Sequence, residues 1–592
     1  MINYQEQEDM EKKMIRLRDC RKEYTYDQDK ACTPQQTIDR FMQRLEESRL
    51  DILKEVRRID TGRLDIPVYF SMCGQDAFDT IGNKKQMGKG STPVQSRASA
   101  CMELGERFSF FSFIKNKDNF VVGDYATMQA QGYPVLDMRF LLQSVHDDSH
   151  SIELLEQLLE GLPMRWTWAT NLAKEEEVLV PFSWFFAINE FNGPSAGNTT
   201  EEGILQGVCE IVERHVCAVI TRNKIRTPGI DPDSVIDPVA RELIGKFTRC
   251  GIKVYLNDFS LDTGIPTVGA LCWDPSTFPE QSEIVYTAGT TPDPDKALIR
   301  ALTEVAQLAG DFHTEANYVA SGLPKPLSLE EIDYVVKSDR MIALNEMYNV
   351  GDEDMRRELK NCISALQNIN MEVFVIDTMH PKLRVPTFYT IVPGAHFRER
   401  AASGDAALFA AKLAAELLEP EALEKKLSEM QRLLPDAYYI EFYRGKNLYD
   451  QGDAAAALVH FDHALAHNPN EEDLPYLYSY KGCCLRDLGR FEDAIDALET
   501  GRELDDERPD IHNMLGVCHF KGRRFDVAAL HFKRAVELNP VSAIDYANLA
   551  INLQQLGKAD EAMHNYRVAL SMDPSIEFAQ RGLAELLQHH AE

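Results

Sequence analysis

TTEEGILQGVCEIVERHVCAVITR (199–222) is the stretch on which the reading of this chain turns. Gln206, Glu210 and Glu213 recur at i+4 and i+3, so they share one helix face, and Arg214 and Arg222 follow on the same segment. Val208, Val212 and Val216 make the remainder apolar, and an apolar face turns inward. Two other segments repeat the pattern. SRASACMELGERFSFF (96–111) carries Ser99, Glu103, Glu106 and Arg107 among Ala98, Met102 and Phe108. DKALIRALTEVAQ (295–307) carries Arg300, Glu304 and Gln307 among Leu298, Leu302 and Val305. One such helix reads as a solvated face or an intrahelical ion pair. Three with matched polar types, two of them containing Glu-Arg, read as one inward pocket, because glutamates are almost never fully buried without partners. Mg²⁺ takes oxygen ligands and shares them with phosphates, so the residue types fit a metal and a polyanion.

Around these helices the chain alternates without strict order. TPQQTIDRFMQRLEESRLDI (33–52) reads as a helix capped by Thr33 with Pro34 in its first turn. Strands are predicted at 66–73, 182–189, 252–259, 264–273, 283–291, 371–379 and 385–393. Strands mixed with long helices predict an α+β, mixed α/β domain over 31–404, preceded by a charged, weakly ordered segment at 1–30.

No convincing strand follows residue 405, where a period near 34 takes over. Ala494, Ala528 and Ala562 keep it, as do Ala535 with Ala569 and Pro540 with Pro574. Gly489, Gly522 and Gly557 sit in the turns, and Gly452, Phe461, Ala464 and Pro469 mark a looser earlier copy. This is the tetratricopeptide pattern, about four helix–turn–helix repeats over 437–592, reached through a helical connector at 405–436. Stacked repeats bury a continuous core and present a groove for a protein partner.

Composition narrows the classes. The 592 residues exceed one core, and the net charge of −31 argues against a nucleic-acid or anionic-membrane partner. The 12 cysteines form no CxxC pair, which argues against a structural zinc site. Cys209 and Cys217 read as packing residues. The histidines are few and dispersed. The polar start MINYQEQEDMEKKM and the lack of a long apolar run predict a cytoplasmic protein with reduced thiols.

The loop GNKKQMGKGST (82–92) is not a P-loop: five residues separate Gly82 from Gly88, and Gly90 follows Lys89. Lys89 nonetheless stands at a Gly-rich turn feeding a helix N-terminus, a natural anion site. Asn198 reads as a turn or capping residue, with a ligand role open.

GKG (88–90), SAxxELGER (99–107), GNTxxEGxxQGxxEIxER (197–214) and ALIRALTEVAQ (297–307) together resemble the YcaO superfamily, over roughly residues 20 to 400. That resemblance implies an ATP- and Mg²⁺-dependent enzyme that activates peptide backbone amides, and a homodimer. A nucleophile adds to the amide carbon, the resulting oxyanion takes the γ-phosphoryl of ATP, and phosphate leaves. The enzyme supplies no nucleophile. A client Cys, Ser or Thr gives an azoline, sulfide a thioamide, an amine an amidine. On this reading Glu103, Glu106, Glu210, Glu213 and Glu304 are the Mg²⁺ candidates. Lys89, Ser99, Gln206, Arg222 and Arg300 are the ATP candidates, and Arg300 and Glu304 are the candidate catalytic groups. His396 is a weaker candidate to face the active site. Azoline-forming members commonly end in a PxPxP tail, whereas this sequence ends AELLQHHAE, which shifts weight to thioamide formation. The repeats favour a peptide or protein client or a helper protein. The alternative is a nucleotide-binding accessory factor that recruits a partner enzyme without turnover, as in ribosomal protein methylthiolation. A carboxylate-metal hydrolase is a third class, disfavoured by Lys89, Arg222 and Arg300.

Overall fold

The computed structural model describes residues 14–82, 85–279, 281–312, 326, 328–397 and 404–589. It divides into two compact units, 1–406 and 407–592.

Among its described residues the first unit holds three sheets. β1 (Leu53–Arg58), β2 (Val68–Cys73) and β3 (Lys85–Lys89) form an antiparallel sheet in sequence order. The second sheet runs β11-β10-β9-β8-β12, from β8 (Gly229–Ile230), β9 (Lys253–Asp258), β10 (Thr267–Trp273), β11 (Val285–Thr290) and β12 (Met341–Ile342). Only its β8–β12 pair is parallel. The third runs β4-β5-β13-β14-β7, with β6 paired to β5. Its strands are β4 (Val121–Gly123), β5 (Met164–Asn171), β6 (Glu176–Pro181), β7 (Pro194–Ala196), β13 (Phe374–Asp377) and β14 (Thr387–Ile391). The unit is therefore α+β, as the mixed pattern predicts.

The three carboxylate segments are helices: Pro93–Lys115, Thr200–Asn223 and Pro294–Ala309. Each begins on a side-chain cap. Thr92 accepts from the Gln95 amide, Thr199 from Glu202 and Asp293 from Asp295 and Lys296. Leu298, Leu302 and Val305 seal the third helix into a core with Phe247, Val268 and Ala270. Close approach needs glycine twice. A Cβ on Gly88 of β3 would lie 2.1 Å from the Ala100 amide nitrogen. One on Gly289 of β11 would lie 2.4 Å from backbone atoms of Ala297 and Ala301.

Two expectations are corrected here. Residues 182–189 are a helix, Phe182–Asn189, rather than a strand. Most of the run is buried, so it shows no two-residue alternation, and periodicity cannot separate a short buried helix from a buried strand. The second correction concerns 1–30. Residues 1–13 lie outside the described residues, but the stretch from Arg18 to Lys30 is ordered and tied to the rest of the unit. The Arg18 amide donates to Glu201 (2.6 Å), the Cys20 amide to Asp354 (2.9 Å) and Ser91 Oγ to Asp27 (2.6 Å).

The second unit opens with helices Ala406–Leu417 and Pro420–Leu433. Four helix pairs follow: 438–450 with 454–466, 474–487 with 491–504, 509–521 with 525–538, and 543–555 with 559–572; Glu577–His589 comes last. Ala494, Ala528 and Ala562 are fully buried where paired helices meet. Gly489 and Gly557 take positive φ (75° and 74°) in their turns, whereas after Gly522 the left-handed position falls to Arg523 (φ 57°). Gly482 and Gly516 set the pair spacing: a Cβ there would meet Leu498 at 2.5 Å and Phe532 at 2.8 Å.

Candidate active site

The three capped helices bring their carboxylates together. On the first, Arg107 Nε donates to Glu103 at 3.1 Å and lies 3.6 Å from Glu106. Glu106 is 7 % exposed. Its carboxyl is pushed well above the ordinary range by burial, then by the neighbouring charges of Glu103 and Glu210. Burial also raises Glu210, against the pull of Arg214, Arg107 and Arg300. Arg107 and Arg214 are thus inside the cluster as internal counter-charges, although each starts about 100° from the glutamate before it. Ser99 is half-buried one turn above Glu103.

The third helix closes the set. Arg300 donates from Nε to Glu213 (3.0 Å) and from Nη1 to Gln206 (3.2 Å). Glu213 also accepts from the Thr290 amide at the end of β11 (3.0 Å). Lys89 ends β3, where the sequence reading placed a loop, and forms an ion pair with Glu304. Burial, then the nearby Arg300, lowers its amine to about 7. The structure therefore gathers Lys89, Glu103, Glu106, Gln206, Glu210, Glu213, Arg300 and Glu304.

Arg222 is not brought to this cluster. It stands nine residues beyond Glu213, roughly 13 Å along the helix. Its guanidinium contacts His396 Nδ1 (3.2 Å) and the Phe397 carbonyl (3.4 Å). His396 stacks on His146, with centroids 3.6 Å apart, and its amide donates to His215 Nδ1. It belongs to a histidine–arginine group rather than to the carboxylates. Helix spacing shows a shared face but not how far along the helix the site extends.

Other residues of the site escaped the sequence reading. Glu202 lines a cleft with Gln206, Arg300, Lys296, Gln28 and Lys30. It accepts from the Ala31 amide (2.9 Å) and Asn198 Nδ2 (3.0 Å), and lies 3.7 Å from Lys30 Nζ. The signal was present: Asn198, Glu202, Gln206 and Glu210 continue one four-residue spacing. Glu358, on helix Met355–Asn368, lines the same cleft. Oε1 takes Lys22 Nζ at 2.5 Å, whereas buried Oε2 has no hydrogen-bond partner among the described residues. Burial raises this carboxyl to about 7, against Lys22.

Oxygen donors with lysine and arginine beside them suit a hard cation and a phosphate chain. The family model described as YcaO cyclodehydratase, ATP- and Mg²⁺-binding, matches residues 87–396, more than half of the chain. The chain belongs to the YcaO family. ATP and Mg²⁺ are accordingly its cofactors. A tetratricopeptide-repeat model matches residues 481–543. An uncharacterised protein of Methanothermobacter thermautotrophicus is 28% identical over 386 residues, 62% of this chain and 94% of that one. The Escherichia coli ribosomal protein S12 methylthiotransferase accessory factor YcaO is 29% identical over 248 residues, 40% of each chain. The structure of YcaO from Methanopyrus kandleri bound with AMPPCP and Mg²⁺ is 22% identical. That match covers 64% of this chain and 94% of that one, with a TM-score of 0.49. Among the described residues no helix is long and apolar enough to cross a membrane.

Proposed function

We propose that this YcaO protein activates a peptide backbone amide by O-phosphorylation, yielding a thioamide from sulfide or an azoline from a client side chain. The observation that carries this reading is the convergence of glutamates from two helices, the buried Glu106 and the half-buried Glu210, both destabilised as anions by desolvation. Such carboxylates ionise together only when cations share them. Bound ATP supplies the phosphoryl group and Mg²⁺ the charge that lets these carboxylates ionise together. Glu103, Glu106, Glu202 and Glu210 offer the oxygen donors. Lys89, Gln206 and Arg300 hold anionic oxygens in place, with Ser99 at the edge. Glu213 fixes Arg300 and Glu304 fixes Lys89, which narrows their role as metal ligands. Catalysis on this reading is positioning and charge neutralisation, with the nucleophile brought by the client or by sulfide. The repeat unit receives the peptide or protein client; exposed Tyr476, Leu530 and Val541 give it apolar surface.

The test is calorimetry of ATP binding with Mg²⁺, wild type against the Glu103→Ala/Glu213→Ala double variant. Tight Mg²⁺-dependent binding lost in the variant supports the reading, and its absence in folded wild type overturns it. A second reading rests on the relationship to the E. coli accessory factor: a nucleotide-binding recruiter without turnover. Release of ADP and phosphate upon addition of peptide and sulfide separates the two.

A further inference from the structure

Far along the chain from the carboxylates, the repeat unit gathers histidines that the sequence shows only as scattered residues. Glu499 comes from helix Phe491–Leu504, His519 from Pro509–Lys521 and His531 from Phe525–Leu538. One carboxylate oxygen and one ring nitrogen from each histidine lie within 4.8 Å of one another. His519 is 8 % exposed, and its Nδ1 has no hydrogen-bond partner among the described residues. A buried ring nitrogen without a partner needs an explanation, and a bound ion is one.

The neighbours orient this set as outer partners orient metal ligands. His512 Nε2 faces the Asp506 carbonyl at 3.0 Å, an acceptor only, so that nitrogen carries the proton. In the neutral ring its Nδ1 then accepts, and the His531 Nδ1 3.3 Å away donates to it. His531 is left with its lone pair on Nε2, the atom that lies 3.8 Å from Glu499 Oε1. Arg502 Nε takes the other Glu499 oxygen at 2.6 Å, leaving Oε1 turned to the histidines. Arg524 and Arg502 are the cations beside the set. Arg524 is paired with Glu492, and Arg502 with both Glu499 and Asp506.

We propose that Glu499, His519 and His531 bind one divalent transition-metal ion of the Zn²⁺ type. Two imidazoles and one carboxylate are a nitrogen-rich donor set that suits Zn²⁺ over Mg²⁺ or Ca²⁺, and three protein ligands leave a position for water or a client side chain. The ion pins three helices of adjacent repeats, so it stiffens the unit that receives the client. The glutamate–histidine group at Glu441, His460 and His463 carries a weaker case. Its carboxylate already accepts from Arg444, Gln431 and His460, and His463 is largely exposed.

The test uses the full, tag-free chain with excess Mg²⁺ and a chromophoric chelator competing for added Zn²⁺. Wild type is expected to take up one Zn²⁺ more than His519→Gln or Glu499→Gln, with affinity at that site falling at least 100-fold in each. Co²⁺ in place of Zn²⁺ is expected to give a visible absorption band that both variants lose. Zn²⁺ is expected to raise the unfolding temperature of the repeat unit in wild type only. Equal Zn²⁺ uptake by wild type and variants overturns the proposal, as does no uptake by wild type. Circular dichroism checks the fold, and His531→Gln, at a half-buried position, replaces His519→Gln if that variant does not fold.

Discussion

Arg300 donates from Nε to Glu213 Oε2 at 3.0 Å, joining two helices whose residues stand 87 apart in the chain. Both side chains are about nine-tenths buried. Removing one member of a buried pair leaves the other without compensation, which costs about 3–5 kcal/mol. Glu213→Ala is therefore expected to destabilise the first unit by that order, read by urea unfolding, as well as to weaken nucleotide binding. A variant of wild-type stability would show that the pair is not formed in solution.

Gly88→Ala introduces a methyl group 2.1 Å from a backbone nitrogen, which no rotamer change relieves. β3 must shift off the helix, and Lys89 shifts with it. The expected outcome is a loss of roughly 1–3 kcal/mol and at least tenfold weaker ATP binding by calorimetry. Gly82→Ala is the control, because nothing lies within 4 Å of its Cβ position, although its φ of +75° makes a small strain cost of its own.

The N-terminal strap predicts a truncation result. A chain lacking residues 1–30 keeps the whole YcaO match at 87–396, yet loses Gln28 and Lys30 from the cleft and Lys22 from Glu358. It is expected to bind nucleotide at least tenfold more weakly. Lys30→Ala in the full chain, a milder change, is expected to move affinity in the same direction. Unchanged affinity in both would remove the strap from the site.

Glu358 makes stability depend on pH. Its folded value of about 7 exceeds the unfolded 4.5, so between these limits the folded state holds a proton that the unfolded chain releases. Stability from this group is full below pH about 4.5 and falls as pH rises to about 7. At 1.36 kcal/mol per unit the change is roughly 3 kcal/mol. Glu358→Gln mimics the protonated form and is expected to be more stable relative to wild type at pH 8 than at pH 5, measured by denaturant midpoints at each pH. An identical difference at both values would contradict the assignment.

In the repeats, Gly516→Val places a branched side chain against Phe532, already 2.8 Å from the Cβ position. The helix pair 509–521 and 525–538 is expected to splay, lowering the melting temperature of the repeat unit by several degrees. ATP binding should stay unchanged, since no residue of that cluster lies in the second unit.

Much of the site was legible because it is written at helical spacing. Glu103 with Glu106, Gln206 with Glu210 and Glu213, and Arg300 with Glu304 lie on shared faces whatever the tertiary arrangement. Glu202 was missed although it obeys the same spacing, because it falls in the first turn, where an acidic residue has an ordinary role beside the positive helix end. Arg222 stands apart from the carboxylates for the opposite reason: it is on the same helix but about nine residues further along it, beside His396. The helix at 182–189 was misread because an apolar run buried nearly all round shows no period.

What the sequence by itself determined was local and periodic: three helices with inward carboxylates, an α+β unit before them and among them, and a 34-residue repeat after residue 405. These follow from the 3.6-residue helix turn and from glycine, alanine and proline at fixed offsets, which act over a few residues. The tertiary structure alone decided which charges meet. It paired Glu213 with Arg300 and Lys89 with Glu304, laid residues 28–30 along the cleft, and set two dispersed histidines beside Glu499. Such contacts join residues tens to hundreds of positions apart. Their geometry comes from how buried faces pack, a property of the whole core that no short window of sequence carries.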